Sequence, residues 1–188
     1  MATISESKLI TGVWHVLPSV HRDRRGLFVE TFRREWIPSG REMIQANRAD
    51  RSAGCIVGLH YHLHQADYWY VPFGRARVVL HDLRVGSATE GATEVFDLGE
   101  PEDGENVHAS AFIPPGVAHG FASLTDMTIT YLVDGYYNAA DELGVAWDDP
   151  QIAADWGLKD PELSDRDAAN PKRAELHPRS LPVWPMRT

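Results

Sequence analysis

The stretch Gly54-Cys55-Ile56-Val57-Gly58-Leu59-His60-Tyr61-His62-Leu63-His64-Gln65-Ala66-Asp67 decides how this chain is read. Its β-branched and aromatic residues suit a pleated, half-buried surface, so Ile56–Leu63 reads as a β-strand. Alternate side chains of a strand share a face, which groups His60, His62 and His64 opposite Tyr61 and Leu63. Each imidazole brings ring nitrogens that need partners, so three together are not ordinary core filling. They either solvate a wet face or build a site.

Outward from this strand the chain keeps the same character. Leu9–Leu17, Leu27–Phe32, Met43–Asn47, Tyr68–Val71, Arg75–Leu83, Thr93–Leu98, Ala109–Ile113, His119–Leu124 and Thr128–Val133 all read as short strands. Between them, His21–Gly26, Pro38-Ser39-Gly40, Arg48–Gly54 and Gly99–Gly104 read as turns or loops, and Arg33–Trp36 as one helical turn. Regular spacing with Gly and Pro punctuation predicts an all-β sandwich or jelly roll. The tail from Asn138 is acidic and then proline-rich, with a short helix expected near Asp167–Glu175. Its tryptophans, Trp147, Trp156 and Trp184, need a surface to dock on, so an irregular wrap is expected rather than disorder.

Composition narrows the function. The chain has 188 residues, 43% hydrophobic, enough for one domain with a sizeable core, with the jelly roll at about 9–137 and the wrap at 138–188. The net charge of −9 argues against nucleic acid as partner and makes an anionic substrate depend on local arginines. One cysteine, Cys55, excludes an internal disulfide and sits in an apolar run as a small core residue. No signal peptide or membrane span is expected from the sequence, and a cytoplasmic location is the default.

Two spacings resemble the metal motifs of the cupin superfamily. Gly54, His60-Tyr61-His62, Asp67 and Gly74 match the first, with Asp67 where Glu is usual; Pro114–His119 resembles the second. The resemblance offers His60, His62, Asp67 and His119 as ligands to a divalent transition metal, with Fe, Mn, Ni, Zn and Cu all suited to such donors. The plainer reading is a polar lining without metal.

A longer resemblance runs through the chain. Asp23–Phe32, Gln45-x-Asn47, Gly58–Tyr61, Asp82–Ser87, Ile113–Phe121, Trp147–Pro150 and Leu163–Ala169 are similar, in unchanged order, to blocks of the dTDP-4-dehydrorhamnose 3,5-epimerases. The resemblance implies a cupin jelly roll (a double-stranded β-helix), a homodimer, and cofactor-free proton transfer on a nucleotide-linked 4-keto-6-deoxysugar. It implies His60 as base, Asp167 as the group orienting it, Tyr131 as the acid on the opposite face, and His119 lining the pocket. Arg25, Glu30, Gln45 and Asn47 would hold the nucleotide and its phosphates.

Three departures surround the opening strand. Val57 stands where the family has a phosphate-binding arginine, His62 where it has glutamine, and Asp67 where it has a lysine expected to stabilise the enolate oxygen. The exchanges remove epimerase support and add metal ligands. Arg24, Arg25, Arg75 and Arg77 remain as candidates for the diphosphate. Besides the epimerase, two readings stay open: a metal-dependent cupin enzyme acting on a small acid or sugar, and a non-catalytic sugar- or nucleotide-binding cupin.

Overall fold

The computed structural model describes residues 1–38 and 40–185; Ser39 of the expected Pro38–Gly40 turn and the last residues of the wrap lie outside it. Thirteen strands occur among the described residues: β1 (Thr3–Glu6), β2 (Trp14–Leu17), β3 (Val20–Asp23), β4 (Gly26–Val29), β5 (Gln45–Arg51), β6 (Ile56–Tyr61), β7 (Asp67–Phe73), β8 (Arg75–Asp82), β9 (Thr93–Gly99), β10 (Ser110–Ile113), β11 (Val117–Ser123), β12 (Met127–Val133) and β13 (Leu143–Gly144). They form an antiparallel six-stranded sheet, ordered β1-β2-β10-β7-β12-β5, and a five-stranded sheet, ordered β13-β6-β11-β8-β9. The hairpin β3–β4 belongs to neither. This is the all-β jelly roll expected. No helix among the described residues is long and apolar enough to cross a membrane.

Period-two alternation sorts the side chains into layers. Ala76, Val78 and Leu80 of β8, Val117 and Phe121 of β11, and Met127 and Ile129 of β12 meet between the sheets. Val79, Ala118 and Ala122 point the other way and are covered by Val145, Ile152, Trp156 and Leu176 of the tail. Of the tail's tryptophans, Trp156 is buried and donates Nε1–H to the Trp147 carbonyl at 2.9 Å, whereas Trp184 stays 40% exposed. Full burial of a large apolar side chain contributes roughly 1.5–3 kcal/mol, so this cover is as much core as the interior. A short helix, α1 (Asp165–Ala168), is capped by Ser164 and brings Asp167 against β6.

The structure differs from the sequence reading in four places. β5 runs to Arg51, through residues read as loop. Pairing with β12 holds it, and the charges of Arg48 and Asp50 fall on its exposed face. The charged turn at His21–Gly26 is the tip of a hairpin, and its second strand stops at Val29 rather than Phe32. β1 forms from mostly polar residues, with Ile4 alone packing inward, because β2 supplies its partner. Most consequentially, β6 ends at Tyr61. The Leu63 and His64 backbone N–H groups instead donate to the buried Asp141 carboxylate, at 2.6 and 3.1 Å, and His64 is exposed.

β6 also carries one residue more than its partner. His60 pairs with His119 and Val57 with Phe121, so three steps on β6 match two on β11. The extra residue lies at Gly58-Leu59. Gly58 has φ of +108°, and a Cβ there would sit 2.7 Å from the His119 carbonyl oxygen, so only glycine fits. The bulge turns Val57 and His60 to the same side, with Ile56, Leu59 and Tyr61 on the other, under the tail.

Candidate active site

Between the sheets opens a cavity of about 240 Å3 lined by His60, His62, Asp67, Trp69, His119 and Tyr131, among others. His60 and His119 come from the five-stranded sheet; Asp67, Trp69 and Tyr131 occupy inward positions of β7 and β12 in the six-stranded sheet. His60 and Tyr131 therefore enter from opposite walls.

His60 and Asp167 form a short pair, Nε2 to Oδ1 at 2.6 Å, with Asp167 buried. The Gly58 N–H donates to the other Asp167 oxygen at 3.3 Å. Burial alone would raise the Asp167 pKa; the His60 bond and charge, with the Gly58 N–H, outweigh it and hold the carboxyl below its ordinary value. An ionised Asp167 fixes one ring nitrogen of His60. Among the described residues the other, Nδ1, has no hydrogen-bond partner. The Tyr131 hydroxyl is shifted the other way: burial, then the charges of Asp67 and Glu142, raise its pKa and keep the proton on it. An oriented imidazole thus faces a hydroxyl that keeps its proton.

A second cluster adjoins the first. One ligand atom from each of His62, Asp67 and His119 lies within 4.8 Å of the others, all three residues buried. His62 Nδ1 donates to the Asp141 carbonyl at 2.7 Å and His119 Nδ1 to the Val117 carbonyl at 2.9 Å. Carbonyls only accept, so each ring holds a proton on Nδ1 and turns its Nε2 away from that backbone partner. Burial pushes the His119 pKa down to about 4 against the opposing pull of Asp67, with the neighbouring His62 and His60 rings adding to the shift, so the His119 ring is neutral at pH 7. The structure thus brings together three of the four expected ligands. His60 is not one of them, because the bulge and the Asp167 bond aim its ring elsewhere.

The expected nucleotide-binding residues divide. His119 lines the cavity. Gln45 and Asn47 lie on the inward face of β5 and bond each other at 2.9 Å, outside the lining. Arg25 is exposed at the hairpin tip, paired with Asp23, and Glu30 pairs with Arg33, both away from the cavity. Arg77 is committed to Asp97 and Asp155, and Arg75 to Glu102. The arginines that do reach the cavity, Arg51 and Arg166, were not singled out in the sequence. They also line an outer groove of about 420 Å3 that shares Val57 and His60 with it. Arg51 was hidden by the loop reading; continued alternation from Gln45 and Asn47 along β5 reaches it. Asp141, which anchors His62, carried no sequence signal, since its role depends on a fold-back of the tail.

Comparison with known proteins agrees with this geometry. The dTDP-4-dehydrorhamnose 3,5-epimerase family profile matches residues 7–175. A Mycobacterium tuberculosis protein of that name is 34% identical over 93% of this chain and 90% of its own. The Bacillus subtilis spore coat polysaccharide biosynthesis protein SpsL is 38% identical over 74% of this chain and 91% of its own. Among solved structures, the Legionella pneumophila epimerase RmlC, in complex with dTDP-4-keto-L-rhamnose, is 30% identical, with a TM-score of 0.88 over 98% of this chain and 99% of its own. With the profile spanning most of the chain and relatives above 30% identity covering nine-tenths of it, the chain belongs to the dTDP-4-dehydrorhamnose 3,5-epimerase family.

Proposed function

We propose that this chain epimerises a nucleotide-linked 4-keto-6-deoxysugar by proton transfer across the cavity. The observation that carries the reading is the placement of the Asp167-oriented His60 and the protonated Tyr131 on opposite walls of one cavity. A carbon next to a ketone is a weak acid whose conjugate base is an enolate. His60 removes the proton from one face, leaving the electron pair in the enolate. Tyr131 returns a proton to the other face, and the configuration inverts. Removal and return through different groups require exchange with solvent between turnovers.

The substrate's diphosphate would lie at the groove between Arg51 and Arg166. Both flank His60 in the cavity and the outer groove, and Arg51 has no carboxylate partner among the described residues. In a chain of net charge −9 such a local pair is what an anion requires. Arg51 thereby offsets the missing arginine at Val57.

A homodimer completes the reading. The β3–β4 hairpin pairs with neither sheet and exposes Leu27 and Phe28. Arg25 and Glu30 lie on or beside it, out of reach of their own cavity, so their expected part in nucleotide binding falls to a second copy's site.

The test is incubation with a dTDP-4-keto-6-deoxysugar in deuterated water. Deuterium at the carbons beside the keto group, lost in His60→Ala, is the expected result; no incorporation by the native chain overturns the proposal. The number of labelled carbons tells a 3,5-epimerase from a 3-epimerase.

A further inference from the structure

No member of the cluster beside the dyad gives or takes a proton in the transfer just described, and the electrostatics of the cluster are incomplete. Asp67 is 4% exposed, yet no lysine or arginine pairs with it among the described residues; its only ion-pair neighbour is His119 Nε2, at 3.8 Å. Its oxygens accept from the neutral Gln65 amide at 3.0 Å and the Trp69 indole at 3.1 Å. A buried carboxylate without a cation is costly, and proteins resolve that cost by pairing it or by binding a metal.

The two histidines are prepared in the same sense. Each is held by a backbone carbonyl through Nδ1, which leaves Nε2 as a donor atom. Metal-binding imidazoles are oriented in this way, the outer hydrogen bond fixing tautomer and ring plane. The supporting carbonyls are rigid: Val117 opens β11, and Asp141 is locked to the Leu63 and His64 N–H groups.

We propose that His62, Asp67 and His119 form a three-residue site for a divalent first-row transition metal, open towards the cavity, with His60 excluded from the ligand set. Two imidazoles and one carboxylate suit Fe2+, Mn2+, Co2+, Ni2+ and Zn2+, and three protein ligands leave positions for substrate oxygen. The exclusion of His60 frees it to work as base beside the metal. Resting on the epimerase reading, a second part follows: the cation supplies positive charge to the 4-keto oxygen, the task that the resemblance gives to a lysine at the position of Asp67.

The full chain, stripped with a chelator, is titrated with Co2+ and followed by its visible ligand-field absorption, and with Zn2+ by calorimetry. One ion per chain is expected. His62→Ala, His119→Ala and Asp67→Asn should each weaken binding by more than about 10–100-fold, the loss that outer hydrogen-bond partners alone produce. His60→Ala should bind as the native chain does. Circular dichroism confirms that each variant folds, and the near-isosteric Asp67→Asn keeps the test valid should an alanine variant unfold. Absence of saturable binding, or binding that survives all three substitutions, overturns the site; loss of binding in His60→Ala overturns the three-ligand assignment. Deuterium exchange separates the second part. Exchange at full rate in the metal-free chain overturns the role at the keto oxygen, whereas metal bound without any exchange by the loaded chain overturns the epimerase reading and leaves the site.

Discussion

Asp167 earns its place in the site through what it does to His60. As Asn it would keep the length of the 2.6 Å contact but lose the charge that holds the ring, and a positioned base typically contributes about 10²–10⁴-fold to rate. Asp167→Asn should therefore lower kcat within that range, with KM little changed, by steady-state assay. Tyr131→Phe should behave differently, retaining deuterium exchange on the face that His60 serves while losing inverted product, as NMR of the sugar would show. Arg51→Ala, with Arg166 intact, should raise KM by roughly tenfold at near-constant kcat, the pattern of lost binding shared by ground and transition states. At this scale much was legible. His60 and His119 announce themselves by residue type and spacing, and Tyr131 and Asp167 only by resemblance to other sequences. Arg51 was lost because its charged neighbours, Arg48 and Asp50, imitate a loop; nothing local reveals that β12 pairs with them.

Single elements are fixed by fewer residues than their length suggests. The Asp82-Leu83-Arg84 segment, part of the family resemblance, turns out to be structural. Arg84 is fully buried and donates Nε–H to Asp82 at 2.7 Å, while Ser87 and Thr89 donate hydroxyls to the same carboxylate at 2.8 and 2.7 Å. Removing one partner of a buried pair strands the other charge, so Asp82→Ala should cost about 3–5 kcal/mol by denaturant unfolding. The sequence shows this motif but not its purpose, since burial depends on the tail crossing it and placing Trp184 4.8 Å from the guanidinium. Strand existence was readable from alternation, whereas strand ends were not: β5 ran past its apolar residues and β6 stopped short of Leu63, each settled by what lay across from it.

The molecule as a whole should respond to acid through its buried histidines. Burial, with the Arg173 charge, pushes the His81 pKa down to about 4 against the opposing pull of Asp82 and Asp149. The unfolded chain takes up that proton near pH 6.5, the folded chain only near pH 4, so the unfolded state binds more protons between those values. Stability should fall as pH drops from about 6.5 towards 4, at up to about 1.4 kcal/mol per unit for this group. Thermal melts across that window check the slope, and His81→Asn should flatten it. The proposed homodimer makes the other prediction at this scale: Phe28→Asp on the exposed hairpin should shift light-scattering mass towards a single chain.

The bulge at Gly58 has a consequence for how β6 tolerates change. Its tail-covered side chains are Ile56, Leu59 and Tyr61, spaced by three and then by two. A saturation library read out by folding should find polar replacements rejected at those three positions, so that the tolerance profile slips phase at the glycine. Crossing from upstream of Gly58 to downstream, odd- and even-numbered positions exchange roles, and a segment grafted from a regular strand would present its chemistry to the wrong side.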